Sequence, residues 1–159
     1  MGDTWSIYNS PSEGGLVFTG LTAVVPLKNR EKFLKAHDKL IGMAKAASDE
    51  AEKLEGEPRP NVHIARTKVS EIEFRMQKIF FVNFVGEEVP FAPAWCVTDK
   101  ELIVSLFPQM IKARLSRAAG APTLADRDDI AAQFKPGDAP LGLFYQDTPA
   151  LFRLAYPMV

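Results

Sequence analysis

Recurring hydrophobic positions predict a strand followed by a long helix in the first third of the chain. Residues 16–27 are rich in Val, Phe, Thr and Leu and run into Pro26, which is typical of a mostly buried strand. Asn29 is suited to cap a helix that ends before Gly56 and Pro58. Apolar side chains at three- and four-residue steps predict its buried face: Phe33, His37, Leu40, Ile41, Ala44, Ala47, Ala51 and Leu54.

The middle of the chain reads as extended structure followed by a second helix. In residues 62–85 apolar and polar positions first alternate, with Ile72, Phe74 and Met76 on one side. Ile79–Val85 is then almost continuously apolar, which is typical of a central strand. Residues 94–98 and 101–106 predict a tight hairpin. Pro108 suits the first turn of a helix that turns its apolar side chains inward: Met110, Ile111 and Leu115.

The last forty residues predict a weaker repeat of the first strand and helix. Thr123 is suited to cap a short helix that reaches Phe134, and residues 141–145 predict a strand. Thr148 and Pro149 then resemble an N-cap followed by proline at the first helical position. Two interpretations stay open. Residues 139–159 begin a second, truncated unit after a domain of residues 1–138, or they are the C-terminal strand and helix of that domain.

This order of elements predicts an α+β fold. We expect a mostly antiparallel sheet, covered on one face by the long helix and by the helix that begins at Pro108. With 159 residues, 47% of them hydrophobic, the chain is long enough to bury a core. A formal net charge of -1 argues against a dedicated nucleic-acid binder, because no excess of basic side chains is present to neutralise phosphates. A disulfide scaffold is excluded, since Cys96 is the only cysteine.

The residues that could carry catalysis or hold a metal are few and scattered. The chain has two histidines, and we expect His37 to be packed on the apolar helix face and His63 to point to solvent from a strand. Cys96 lies in a predicted hairpin strand, where it behaves as a small hydrophobic residue. Two histidines and one cysteine make no zinc site, and no phosphate-binding glycine motif is present. We therefore predict no enzyme, metal or cofactor; an enzyme that uses Cys96 or His63 is the rival hypothesis.

Several aromatic residues are candidates for an interaction surface. They lie in the N-terminal segment, around the proline-containing loop and at the C-terminus: Trp5, Tyr8, Phe91, Trp95, Phe152 and Tyr156. Exposed aromatic rings can bind sugars or partner proteins. The competing interpretation, which we favour for two of them, is that Trp95 fills the core and Trp5 covers a sheet edge.

Two regions of the chain resemble a bacterial domain-of-unknown-function family. The first is GDTWSIY at Gly2–Tyr8 followed by SEGG at Ser12–Gly15, and the second is PFAPAWCVTD at Pro90–Asp99 followed by ELIVS at Glu101–Ser105. Members of that family are usually repeated α+β units within larger exported or envelope proteins. The resemblance therefore implies an exported parent protein, and it brings no catalytic residues to this chain.

From these observations we expect a non-catalytic module of a larger exported or envelope protein. Its partner would be the remainder of the parent chain or another protein, with no nucleic acid and no membrane insertion by this segment. If the chain is instead complete, the lack of a signal peptide predicts a cytoplasmic protein. The alternative function is a small-ligand-binding domain with a pocket between the sheet and the long helix, lined by Phe33, His37, Phe74 and Phe81.

Overall fold

A computed structural model describes residues 5–9, 19–53, 66–85, 89–132, 144–145 and 148. The chain divides into two compact units, Met1–Arg117 and Ala118–Val159. The first unit is an α+β structure. The boundary predicted near residue 139 lies outside the described residues and stays a prediction.

A six-stranded antiparallel sheet forms the body of the first unit. Its strand order is β1-β2-β6-β5-β4-β3, so β1 and β3 are the two edges. β5 and β6 form the predicted hairpin, closed at Thr98, whose hydroxyl accepts the backbone N–H of Glu101 at 3.1 Å. The strands span β1 Ser6–Asn9, β2 Leu21–Pro26, β3 Arg66–Phe74, β4 Gln77–Val85, β5 Ala94–Val97 and β6 Glu101–Ser105.

One face of this sheet carries the main hydrophobic core. Because side chains alternate along a strand, Ile79, Cys96 and Ile103 stack side by side across three neighbouring strands, and all three are fully buried. The second helix, α2 (Pro108–Ser116), covers them with Ile111, which is also fully buried. Pro108 stands at the start of α2 as predicted, since the first helical position needs no backbone N–H.

The long helix, α1 (Arg30–Lys53), packs on the opposite face of the sheet. Asn29 caps it as predicted, because its Oδ1 accepts the backbone N–H of Lys32 at 2.9 Å. His37 contacts Phe80 and Trp95, which alternate with the core residues Ile79 and Cys96 and so face the other way. The expectation that both helices cover one face is therefore wrong: each helix covers its own face of the sheet.

Two further sequence expectations in this unit need correction. Met76 does not alternate with Ile72 and Phe74 in a strand; it is 90% exposed in the tight turn between β3 and β4, where Arg75 and Met76 have φ of 50° and 61°. Asn or Gly usually occupies positions with this left-handed geometry, and neither is present here, so the sequence pattern did not predict the turn. On α1 the predicted buried residues Leu40, Ala44 and Ala47 are exposed, whereas Ala51 and Leu54 lie outside the residues whose side chains are described.

The second unit is described mainly by a short helical segment. Thr123 begins a turn of 3-10 helix at Leu124–Asp126, and α3 (Asp128–Ala131) follows. Thr123 holds the predicted N-cap position, and Asp126 accepts its backbone N–H at 2.6 Å and its hydroxyl at 2.8 Å. The single helix predicted from Thr123 is divided, because Arg127 separates the 3-10 turn from α3, which ends at Ala131. Residues 144 and 145 are not in a strand, in contrast to the prediction for 141–145.

Candidate functional site

His37 links the middle of α1 to the sheet. Its side chain is 8% exposed, and its Nε2 accepts a hydrogen bond of 2.9 Å from Nε1–H of Trp95. The indole can only donate, so Nε2 carries no proton and the proton belongs on Nδ1, which lies 3.1 Å from Oδ1 of Asp38. Both ring nitrogens are therefore engaged, which suits a packed structural histidine and leaves no free nitrogen to act as a base.

An aromatic cluster surrounds this hydrogen bond. Phe80 and Trp95 stack with their ring centroids 5.8 Å apart, and His37 meets Phe80 edge-on at 4.8 Å. Phe33 stacks on His37 from one turn earlier in α1, at 6.4 Å. Such ring pairs contribute about 0.5–1.5 kcal/mol each beyond the buried area. Trp95 is half-buried in this cluster, as expected for a residue that fills the interior.

A small cavity lies beside His37, between α1 and the turn that joins β3 to β4. Its volume is about 190 Å³, below the 300–1,000 Å³ typical of ligand pockets. Of the four predicted pocket residues only His37 lines it, because Phe74 and Phe81 lie on the opposite face against the main core. Arg30 and Lys78, the Arg and Lys residues in its described lining, already form ion pairs at 3.3 Å, Arg30 with Asp99 and Lys78 with Glu71.

A second hollow lies further along the same flank of α1. It measures about 400 Å³ and is bounded by Lys45 and Asp49 of α1 and by Lys68, Val69 and Glu71 of β3, together with Ser48 and Ser70. Among the described residues that line it, only Val69 is apolar, whereas small-molecule sites are lined mainly by apolar and aromatic side chains. Both hollows show that this flank of α1 faces β3 and β4.

Cys96 has the environment of a packing residue. Its side chain is fully buried in the main core, and that burial, with a smaller contribution from the charge of Glu101, raises the pKa of the thiol from 9.0 to about 11. A nucleophilic cysteine needs an accessible thiolate at neutral pH, and Cys96 offers neither. His63, its proposed partner, lies outside the described residues. Among the residues that the structure describes, no group of three His, Cys, Asp or Glu side chains is placed to hold a metal ion.

Tyr8 belongs to the α2 side of the sheet. Its ring packs against the main core, and the guanidinium groups of Arg114 and Arg117 lie over it at 5.9 and 5.5 Å. Arg114 also binds both carboxylate oxygens of Glu101, at 2.9 and 3.2 Å from its Nη2. Tyr8 therefore helps to hold β1 and α2 together, and it is separated by the sheet from Trp5.

On the side of the sheet that carries α1, the strands β1, β2 and β6 hold exposed apolar side chains. Ile7 of β1, Leu21 of β2 and Val104 of β6 point to this side by strand alternation, and they are 57%, 40% and 38% exposed. Trp5 continues the alternation of β1 and is 64% exposed. We call this set the open sheet surface: Trp5, Ile7, Leu21 and Val104. Phe91 is 40% exposed but meets Phe84 of β4 edge-on, so it is not part of this set.

The free flank of α1 adds a second apolar row beside it. Leu40 and Met43 are 65% and 61% exposed. At 100° per residue they lie on the flank opposite Leu34 and Asp38, which line the small cavity towards β4, and so they face β6, β2 and β1. We call this row, which also contains two exposed alanines, the α1 seam: Ala36, Leu40, Met43 and Ala47.

The structure thus separates the aromatic residues that the sequence had grouped. Trp5 belongs to the open sheet surface, whereas Phe91 lies against Phe84 of β4. Tyr8 and Trp95 pack within the first unit on opposite sides of the sheet, and Phe152 and Tyr156 lie outside the described residues. The aliphatic members Ile7, Leu21 and Val104 were missed. They come together only when β1, β2 and β6 pair. The two-residue spacing of Trp5 and Ile7 is nevertheless the pattern expected for two side chains on the same face of a strand.

Comparison with protein-family models, with curated proteins and with solved structures gave no match. Among the described residues, no helix is both long and apolar enough to cross a membrane.

Proposed function

We propose that the protein is a non-catalytic module of a larger exported or envelope protein and that it acts through protein contacts at the open sheet surface. The observation that carries this proposal is the group of large apolar side chains on one side of β1, β2 and β6, with Ile7 57% and Trp5 64% exposed. Contiguous apolar patches on a folded protein commonly mark contacts with other proteins.

The chemistry of the two sheet edges supports the same conclusion. β3 is an edge rich in charge, with Lys68, Glu71 and Glu73, and charged side chains protect an edge from pairing with other chains. The opposite edge, β1, reads Ser-Ile-Tyr-Asn and carries no charge. An uncharged edge beside an apolar surface is suited to contact with a partner.

The non-catalytic part of the proposal rests on two environments. His37 has both ring nitrogens in hydrogen bonds, and Cys96 is buried with the pKa of its thiol raised to about 11. The exported or envelope setting rests on the family resemblance of the N-terminal and Pro90–Asp99 segments. Fractionation of cells that express the full parent protein tests that part separately: recovery from the cytoplasm alone would contradict it.

Site-specific photo-cross-linking in the native cells tests the contact surface. We expect a photoreactive amino acid at Ile7 or Val104 to give the same discrete adduct, because both positions lie on one surface. The matched control is Asp99, whose side chain is 83% exposed in the turn between β5 and β6, and it should not give that adduct. The substitution Leu21→Asp should abolish the adduct at Ile7. Equal labelling at all three positions, or no adduct at any, would overturn the proposal.

A further inference from the structure

We propose that the partner at this surface contributes a single amphipathic helix that packs alongside α1, across β6, β2 and β1, and that carries acidic residues where it borders Lys32 and Lys39. This inference rests on the proposed function, because it names the occupant of the same surface. Three features of the molecule support it: the width of the sheet that no described helix covers, the spacing of the α1 seam and the charges beside that seam.

The part of the sheet that no described helix covers has room for one more helix. Neighbouring strands lie about 4.8 Å apart, so six strands span about 24 Å, and a helix with its side chains is about 10 Å wide. α1 contacts β5, β4 and β3 through Trp95, Phe80 and the carbonyl of Thr67, which accepts a hydrogen bond from Ser48. The three strands left over, β6, β2 and β1, therefore match the width of one more helix.

The α1 seam has the spacing of a helix–helix contact. Its residues follow one another at steps of four, three and four, which is the heptad pattern of the a and d positions in a coiled coil. Leu40 and Met43 supply the large side chains at its centre, while Ala36 and Ala47 allow another helix to approach closely at either end. A helix in this position would contact the seam with one side and Val104, Leu21 and Ile7 with another. An apolar seam exposed at this spacing is typical of a helix that lacks its neighbour.

The charges beside the seam indicate the chemistry of that neighbour. Lys32 and Lys39 are seven residues apart, so they lie about 10 Å from each other along one border of the seam. They occupy the position that faces a partner helix in a coiled coil, where opposite charge sets partner choice. Within the described ranges no ion pair involves either lysine, in contrast to Lys35, which binds Glu31 at 2.9 Å. A partner helix with two acidic residues seven apart complements this border.

A second copy of this chain does not offer that complement. In the same heptad frame, the positions flanking the seam between Arg30 and Ala46 hold Arg30, Lys32, His37, Lys39, Ala44 and Ala46, with no acidic residue among them. An α1 helix from another copy would therefore bring further positive charge towards the lysines. The partner is instead a different helix, with negative charge along one border.

Selection from a helical peptide library tests the inference. The library fixes apolar residues at heptad spacing, varies the flanking positions, and is selected on the purified full chain with counter-selection on Leu40→Lys. We expect enrichment of Asp and Glu pairs seven residues apart. An enriched peptide, labelled with fluorescein and followed by fluorescence anisotropy, should bind Leu40→Lys at least about tenfold more weakly than the unchanged chain.

Two control variants, Lys45→Glu and Met76→Lys, separate binding at the α1 seam from general effects of charge and exposure. Lys32→Glu with Lys39→Glu should weaken binding about three- to tenfold, and a peptide with lysine in place of its acidic residues should recover it. Lys45→Glu is the charge control, because Lys45 lies on the opposite flank of α1. Met76→Lys is the control for Leu40→Lys, since Met76 is 90% exposed in the β3–β4 turn. Thermal unfolding of every variant confirms that it is folded.

The outcomes distinguish this inference from the proposed function. The proposal of a helical partner would be overturned if the library showed no enrichment over the Leu40→Lys counter-selection. It would also be overturned if Lys45→Glu weakened the binding of an enriched peptide as much as Lys32→Glu with Lys39→Glu does. Concentration-dependent dimers in sedimentation velocity that Leu40→Lys abolishes would show that a second copy occupies the surface, and would overturn it as well. If the Ile7 and Val104 cross-links appear while the helix fails, the contact surface stands and only its occupant changes.

Discussion

The buried thiol of Cys96 makes the first unit sensitive to alkaline pH. In the folded protein its pKa is raised to about 11, chiefly by burial, whereas an unperturbed thiol has the ordinary value of 9.0. Between these two values the unfolded chain loses the thiol proton and the folded chain keeps it. Deprotonation therefore favours the unfolded state, so the contribution of Cys96 to stability is fully present below pH 9 and is lost as the pH rises through 11.

The size of this loss follows from the two pKa values. They differ by about two, and each pKa unit corresponds to about 1.4 kcal/mol, so the free energy of unfolding should fall by about 2 to 3 kcal/mol between pH 8 and pH 11. A small domain is stable by only about 5–15 kcal/mol, so a loss of this size is readily measured. Urea unfolding followed by circular dichroism at several pH values between 8 and 11 provides the assay.

Cys96→Ala is the variant that isolates the effect. The substitution removes the titrating group and leaves a small cavity, which lowers the starting stability at pH 8. Lysine and tyrosine titrations act on both proteins, so they cancel in the difference between them. We expect the advantage of the unchanged chain over Cys96→Ala to shrink by about 2 to 3 kcal/mol by pH 11. A difference that stays constant over this range would refute the argument that Cys96 is buried with a raised pKa.

Three further substitutions test other parts of the structure. Gly42→Ala should raise the free energy of unfolding by about 0.5–1 kcal/mol in a urea titration, since a Cβ at this helical position meets nothing within 4 Å; a loss would show that the position is crowded. Arg114→Gln should lower it by about 1–3 kcal/mol, because it breaks a half-buried ion pair with Glu101, whereas an unchanged midpoint would mean that the pair is fully solvated. Hydrogen bonding to Arg127 lowers the pKa of Asp129, so Arg127→Gln should raise the pKa of that carboxyl in an NMR titration, and a pKa that does not move would contradict the contact.

The sequence predicted the elements whose signals are local. Asn29 as N-cap and Pro108 at the start of α2 satisfy rules that involve only a few neighbouring residues, and both are confirmed. The hairpin of β5 and β6 is confirmed for the same reason. The turn at Arg75 and Met76 was missed because its left-handed geometry is usually marked by Asn or Gly, and neither residue is present.

The placement of the helices could not be predicted in the same way. Their faces depend on pairing between strands that are distant in sequence: β2 pairs with β6, which puts Val24 beside Ile103 in the main core and places the alternate residues, Ala23 and Val104, on the other side of the sheet. No residue pattern within α1 or α2 indicates which face of the sheet each helix will cover. The strand β1 was missed because its four residues acquire their exposed and buried sides only by pairing with β2.

The misassigned face of α1 is also the reason that the candidate site escaped the sequence analysis. One apolar stripe was expected on this helix, but two adjacent rows are present: His37 and Ile41 face the sheet, while Leu40 and Met43 face the uncovered strands. The predicted buried face combined His37 and Ile41 of the first row with Leu40 of the second, and it left out Met43. The hydrogen bond from Trp95 to His37 distinguishes the two rows, because it fixes which of them faces the sheet. The same contact that anchors the helix therefore turns the seam towards Val104 and creates the surface.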